Sequence, residues 1–166
     1  RNQGEPRDGK YEHVMLGTNA RMTDVQAAIG LAQFKKLPRM LEERRRVASK
    51  YDELILKSGI NVKPVSTVNK DSQNAYFFYP VLVNNRDKIG NLLKEKYGID
   101  TRIAYPMPLF KQEVYASGRV KCRYMECPIA EHVTSKIINL PIFPDMSDEM
   151  IETVVSALKI ETARSR

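Results

Sequence analysis

Cysteine is scarce in this chain of 166 residues, where Cys122 and Cys127 are the only two. Two thiols at that spacing make no disulfide framework, and so few of them fit the reducing environment of the cytoplasm. Long apolar runs are missing too. None approaches the ~18 residues that a membrane-spanning helix needs, which excludes a transmembrane segment. The opening stretch 1–10 is polar, Gly- and Pro-containing and charged, with no apolar core for a signal peptide. It carries no initiator Met, so the chain reads as processed, trimmed or partial. A Walker loop, a dinucleotide-binding Gly-rich turn and a His-Glu-x-x-His pair are also lacking, as are repeats and low-complexity tracts. What remains is a globular domain without self-sufficient catalytic machinery.

The chain is long enough to bury a real core. Its net charge of +7 points to an anionic partner, or to an acidic portion elsewhere in the same polypeptide. Most basic residues are interspersed with Glu and Asp, as on a solvated surface. The exception is Arg39, Arg44, Arg45 and Arg46, which could form a nucleic-acid footprint.

Apolar spacing organises the rest. Residues up to about Leu16 read as loop. Thr23 followed three positions later by Gln26 is a capping-box pattern, with Asp24 on the first turn, so a helix starts there. Val25, Ala28, Ile29, Ala32 and Leu37 recur at helical spacing. Pro38 fits the first turn of a second helix, whose apolar face is Met40, Leu41, Val47, Ala48, Tyr51, Leu54 and Ile55, and which stops at Gly59. Such a helix pair suits the bridging of two domains. Strands are expected at 61–64, at 75–83 with its aromatic and β-branched residues, at 100–105 and at 137–142. Helices are expected at 86–97, stopped by Gly98, at 127–136, and after a Ser147 cap through Ile151, Val154, Val155 and Leu158. Pro106 and Pro108 enforce a loop. The class is α/β-mixed or α+β, a small sheet covered by helices.

Few residues suggest chemistry. Cys122, Cys127 and His132 could approach a metal, but no fourth ligand is in view, and ordinary packing explains them better. His13 sits in a polar loop, where a solvated or hydrogen-bonded histidine is a better reading than a catalytic base. Tyr105, ahead of Pro106 and Pro108, either presents its hydroxyl to a ligand or packs. The segment 17–21 precedes a helix start, where backbone N–H groups and the dipole favour anions. Asn19 adds an amide donor and Arg21 a planar fork suited to phosphate. A solvated loop explains the same residues equally well.

The ordered set of segments is more specific than any one of them. Arg1-Asn2-x-Gly4, Tyr11-Glu12-His13, Gly17-x-Asn19-x-Arg21-Met22-Thr23-Asp24 and 26–33 resemble the DegT/DnrJ/StrS-type sugar aminotransferases. So do Arg102-x-x-Tyr105-Pro106-x-Pro108-Leu109 and the stretch from Cys127-Pro128 through Leu140-Pro141-Ile142-x-Pro144. The resemblance implies the C-terminal domain of a fold-type I enzyme: the end of the large domain (1–22), then bridging helices and a small, mainly antiparallel domain (23–166). It implies a homodimer with shared active sites and pyridoxal 5'-phosphate held by a lysine. The amino group would pass from glutamate or glutamine to a keto sugar on a nucleoside diphosphate, with neither nucleic acid nor membrane as partner.

By the same resemblance, Asn19 reaches the partner subunit's cofactor phosphate, Arg21 meets substrate phosphates, and Tyr105 and His13 lie on the substrate side. Ala20 stands where the family usually has an aromatic residue, and Ala104 and Phe110 where it often has histidine, which leaves the sugar side apolar. The family's lysine and its pyridine-pairing aspartate would fall upstream of Arg1, so this chain holds no catalytic residue and alone should be inert. A different class of reading is a regulatory or binding module that reuses the small-domain fold without chemistry.

Overall fold

The computed structural model describes residues 13–65, 73–121 and 126–164. The segments Arg1-Asn2-x-Gly4 and Tyr11-Glu12, residues 66–72 of the polar loop after Pro64, and Cys122 lie outside the described residues. The chain divides into two compact units, Arg1–Arg39 and Met40–Arg166.

Helix α1 runs from Asp24 to Ser58 without a break and contains Pro38. Its start is the expected capping box. The Thr23 N–H donates to Gln26 Oε1 at 3.0 Å, and the Gln26 N–H donates to Thr23 Oγ1 at 3.3 Å. The expectation of two helices is corrected. Pro38 lies inside one helix and removes only the rung to the carbonyl of Phe34, a local cost of about 3 kcal/mol. A helix capped at one end and packed into a core from Val47 onward withstands that loss. Gly59 ends α1 at φ +63°, a conformation that L side chains resist.

In the first unit the expected apolar face is not buried. Val25, Ala28, Ile29, Ala32 and Leu37 are all exposed, as are Leu31, Phe34, Val14, Met15, Leu16 and Met22.

The second unit holds a three-stranded antiparallel sheet in the order β1 (Lys63–Pro64), β2 (Tyr79–Leu82) and β3 (Ile137–Leu140). Helices α2 (Arg86–Tyr97), α3 (Glu113–Ala116), α4 (Pro128–Lys136) and α5 (Asp148–Arg164) accompany it, and a 3₁₀ turn at Leu109–Lys111 precedes α3. That turn and α3 fall after the Pro106 and Pro108 loop, in a stretch for which the sequence suggests no element. A proline in a central strand is unusual. Pro80 faces Asn139 across β2–β3, and its carbonyl accepts from the Val65 N–H at 3.0 Å on the β1 side. Its missing N–H therefore falls at the ragged end of a two-residue strand, where it costs little.

Two expected strands are shorter than the sequence suggested. Of 75–83 only Tyr79–Leu82 is paired as a strand. Tyr76 turns to φ 46°, its N–H is taken by Asn74 Oδ1 at 2.8 Å, and its carbonyl by Arg44 Nη1 at 2.9 Å. Side chains thus satisfy the backbone where a ladder would have. Of 100–105 only the bridge Arg102↔Asn139 forms.

One core binds this unit. Val47, Ala48, Tyr51 and Ile55 of α1 pack with Ile89 and Leu93 of α2, with Tyr79, Val81, Ile138 and Leu140 of the sheet, and with Ile151, Val154, Val155 and Leu158 of α5. Tyr51 stacks on Tyr79 with ring centroids 4.8 Å apart. The two hydroxyls donate to Pro141 O at 2.9 Å and Asp52 Oδ1 at 2.5 Å. Gly90 lets α2 approach closely, since a Cβ there would lie 3.2 Å from both Ile138 Cδ1 and Thr101 Oγ1. Ser147 caps α5 through its Oγ, which accepts from the Met150 N–H at 3.2 Å.

Candidate functional site

His13, Asn19 and Arg21 lie in one exposed segment of the first unit, directly before α1. The capping box changes how an anion could bind there. Two N–H groups at the helix start, those of Thr23 and Gln26, already have partners, and Asp24 puts a carboxylate on the first turn. Asn19 and Arg21 bring an amide and a guanidinium to the same segment. An amide donor and a guanidinium fork fit a phosphate oxygen well.

Tyr105 belongs to the second unit. At 73% exposure it takes no part in the core of this unit. Its backbone is nonetheless held from both sides. Upstream, the Arg102 N–H donates to Asn139 O at 3.0 Å, and the Asn139 N–H donates back at 2.9 Å. Asn139 Nδ2 adds a second bond to the Arg102 carbonyl at 2.7 Å. Downstream, Arg86 Nη2 donates to Pro106 O at 2.8 Å and Nη1 to Thr134 O. Beside this segment a cavity of about 510 Å³ is lined by Arg86, Met107, Lys111, His132 and Ser135, among others. Lys111 is paired with Glu131 at 2.5 Å.

Arg86 and Asn139 were not singled out from the sequence, although each left a signal. Arg86 opens α2, where the helix dipole favours anions, so a cation there needs another reason. Asn139 interrupts an apolar run in a buried strand. Three arginines of the cluster on α1 are likewise engaged. Arg44 Nη1 donates to Tyr76 O and Ile142 O, Arg45 Nε to Asn74 O, and Arg46 to Glu43, Asp148 and Met146 O. Three of the four guanidinium groups of that cluster thus hold carbonyls or carboxylates of this chain.

Charge elsewhere in this unit is structural. Burial raises the Tyr51 phenol well above its ordinary value. Burial does the same to Tyr79, and the hydrogen bond to Asp52 pushes it further. Burial pushes the Glu161 carboxyl up, but hydrogen bonds from Tyr97 and Lys96, with the charges of Lys96 and Arg164, more than offset this and leave it below its ordinary value. Among the described residues no group of three or more His, Cys, Asp or Glu side chains could hold a metal, and no helix is long and apolar enough to cross a membrane.

Residues 1–159 match the family model described as the DegT/DnrJ/EryC1/StrS aminotransferase family. The chain is 35% identical over 150 residues to a pleiotropic regulatory protein of Geobacillus stearothermophilus, covering 90% of this chain and 39% of the relative. It is 34% identical over 149 residues to a dTDP-3-amino-3,6-dideoxy-alpha-D-galactopyranose transaminase of Aneurinibacillus thermoaerophilus, again 90% and 39%. A solved aminotransferase of this type from Brucella abortus superposes at a TM-score of 0.80 and 26% identity, covering 96% of this chain and 41% of that one. For S. venezuelae DesV the values are 0.82 and 25%, with coverage of 98% and 42%. The chain thus spans about two fifths of the length of its relatives, and the match is to the C-terminal part of the solved structures.

Proposed function

The chain belongs to the DegT/DnrJ/EryC1/StrS aminotransferase family, and from that premise we propose that it is the C-terminal portion of a nucleotide-sugar aminotransferase. The parent enzyme moves an amino group from glutamate or glutamine to a nucleotide-linked keto sugar, in the cytoplasm and as a homodimer with shared active sites. The observation that carries this reading is the match over residues 1–159. Residues 1–22 form the end of the large domain, and 23–166 the bridging helix and small domain. The exposed Val25, Ile29, Leu31 and Phe34 support the fragment reading, because a capped helix rarely leaves so much apolar surface in water.

The family uses pyridoxal phosphate, and a solved sugar aminotransferase from Streptococcus pneumoniae carries it. The donor set of the first unit fits that group through its phosphate. Asn19 would offer its amide to the phosphate of the partner subunit's cofactor, and Arg21 would set its fork against the substrate's phosphates. His13 and the Tyr105 hydroxyl offer polar contacts to the substrate. When bound, the cofactor supplies the electron sink for amino-group transfer, and the lysine that holds it lies in the portion of the parent before Arg1.

A parent polypeptide carrying that portion should take up pyridoxal phosphate with a Schiff-base absorbance and aminate a nucleotide-linked keto sugar. The 166-residue chain alone should do neither. Robust transamination by the isolated chain would overturn the placement of the lysine. A parent without cofactor absorbance would favour a second reading, a non-catalytic regulator on the same fold, which the regulatory relative from Geobacillus brings into view.

A further inference from the structure

We propose that Arg86 is a positioning residue which, together with Asn139, clamps the segment carrying Tyr105 and so fixes where the Tyr105 hydroxyl meets a ligand. The inference rests on the reading of Tyr105 as a substrate-contacting group. The exposed Tyr105 ring adds no packing of its own to this unit, so beyond the contact of Ile103 with the core the order of this segment comes from its hydrogen bonds.

Arg86 is suited to that task. It is only 6% exposed, and a buried guanidinium is tolerated only when its donors find acceptors. Its Nη2 holds the carbonyl of Pro106, the residue immediately after Tyr105, and its Nη1 holds that of Thr134. Thr134 lies in the last turn of α4, where carbonyls lack intrahelical donors and the dipole welcomes a cation. One side chain at the start of α2 thus ties the Pro106 carbonyl to the C-terminus of α4. Its Nε has no hydrogen bond and sits 3.4 Å from Asp87 Oδ1. At the other end, Arg102 is locked to Asn139 by three hydrogen bonds. The rings of Pro106 and Pro108 restrict φ in the same segment. Tyr105 is therefore held by its backbone while its side chain stays open, an arrangement that lowers the ordering cost of binding.

The experiment compares Arg86→Met, Arg86→Lys and Tyr105→Phe in the full polypeptide that contains this chain, by hydrogen exchange and steady-state kinetics. The amides of Lys111 and Gln112, bonded to Pro108 and Leu109, should exchange about tenfold faster in Arg86→Met, with those of α5 unchanged. Arg86→Lys, which keeps a single donor group, should fall between. KM for the nucleotide-linked sugar should rise about tenfold in Arg86→Met while kcat changes less than about twofold. In the Tyr105→Phe background the Arg86→Met change should add nothing to KM.

Unchanged loop exchange in Arg86→Met, or an equal rise in KM with and without the Tyr105 hydroxyl, overturns the proposal. Should Arg86→Met not fold, exchange in Arg86→Lys identical to the parent's overturns it as well. A parent without transaminase activity but with the expected exchange pattern counts against the functional reading and leaves the clamp standing.

Discussion

Two stretches of α1 differ sharply in what their apolar residues meet. Val25, Ile29, Leu31 and Phe34 are between 60% and 71% exposed, whereas Val47, Ala48, Tyr51 and Ile55 are between 0% and 4%. Both stretches are amphipathic and both are helical. Local pattern made the helix in each case, but only the second stretch has the sheet, α2 and α5 to pack against. Periodicity announces that a face wants a partner; it does not say that the partner belongs to the same segment of chain.

The largest difference between the two stretches is expected from a matched pair of truncations. Leu158→Ala in the core should destabilise by about 2–5 kcal/mol, while Ile29→Ala in the exposed stretch should cost less than about 0.5 kcal/mol. Urea unfolding of both variants checks this, and equal losses would mean that the exposed stretch is packed in solution.

The same contrast holds for arginines. Arg44→Met leaves the Tyr76 and Ile142 carbonyls without their donor and should cost about 1.5–3 kcal/mol. Arg21→Met in the exposed segment should leave the unfolding midpoint unmoved. A midpoint shift for Arg21→Met as large as that for Arg44→Met would dissolve the distinction.

Titration sharpens it further. The folded-state pKa values of Tyr51 and Tyr79 are raised above the ordinary 10.0. Their contribution is therefore complete below that value and lost as pH climbs toward the folded-state values. Tyr79→Phe should cost about 1 kcal/mol near neutrality and flatten the alkaline fall in stability. An unchanged alkaline limb would place the sensitivity elsewhere. On the acid side, the lowered pKa of Glu161 gives a contribution present above its ordinary value and lost as pH falls through the folded-state one, which Glu161→Gln should remove.

The smallest effect expected is that of Thr23→Ala. Removing the capping hydroxyl costs about 1 kcal/mol of helix stability. Because the first stretch has no core, the loss should show as faster exchange of the amides at 24–30 with little change in the global midpoint. A full drop in the midpoint would tie the two stretches into one cooperative block.

Much of this was legible in the sequence, and what was not has physical causes. The capping box at Thr23 and Gln26, the Gly59 and Gly98 stops and the Ser147 cap rest on interactions spanning a few residues, so they could be read directly. Pro38 was misread as a helix start because its local preference is real but weaker than the cap and core that extend α1 through it. The strands expected at 75–83 and 100–105 were overlong because Asn74, Arg44 and Asn139 claim backbone groups that propensity assigns to a ladder. Of the candidate site, His13, Asn19, Arg21 and Tyr105 are proposed from ordered segments, while Arg86 and Asn139 are not singled out by local pattern because their partners lie 20 to 48 residues away in sequence.

Spacing and ordered short segments were enough for the helix caps, for most helices (though not the unity of α1 nor the existence of α3) and for the family. Only the tertiary structure decided which faces are covered and what the arginines hold. It turned a basic cluster into carbonyl latches and an exposed tyrosine into a clamped one. Burial and hydrogen-bond partnership depend on residues distant in the chain, and no local pattern carries that information.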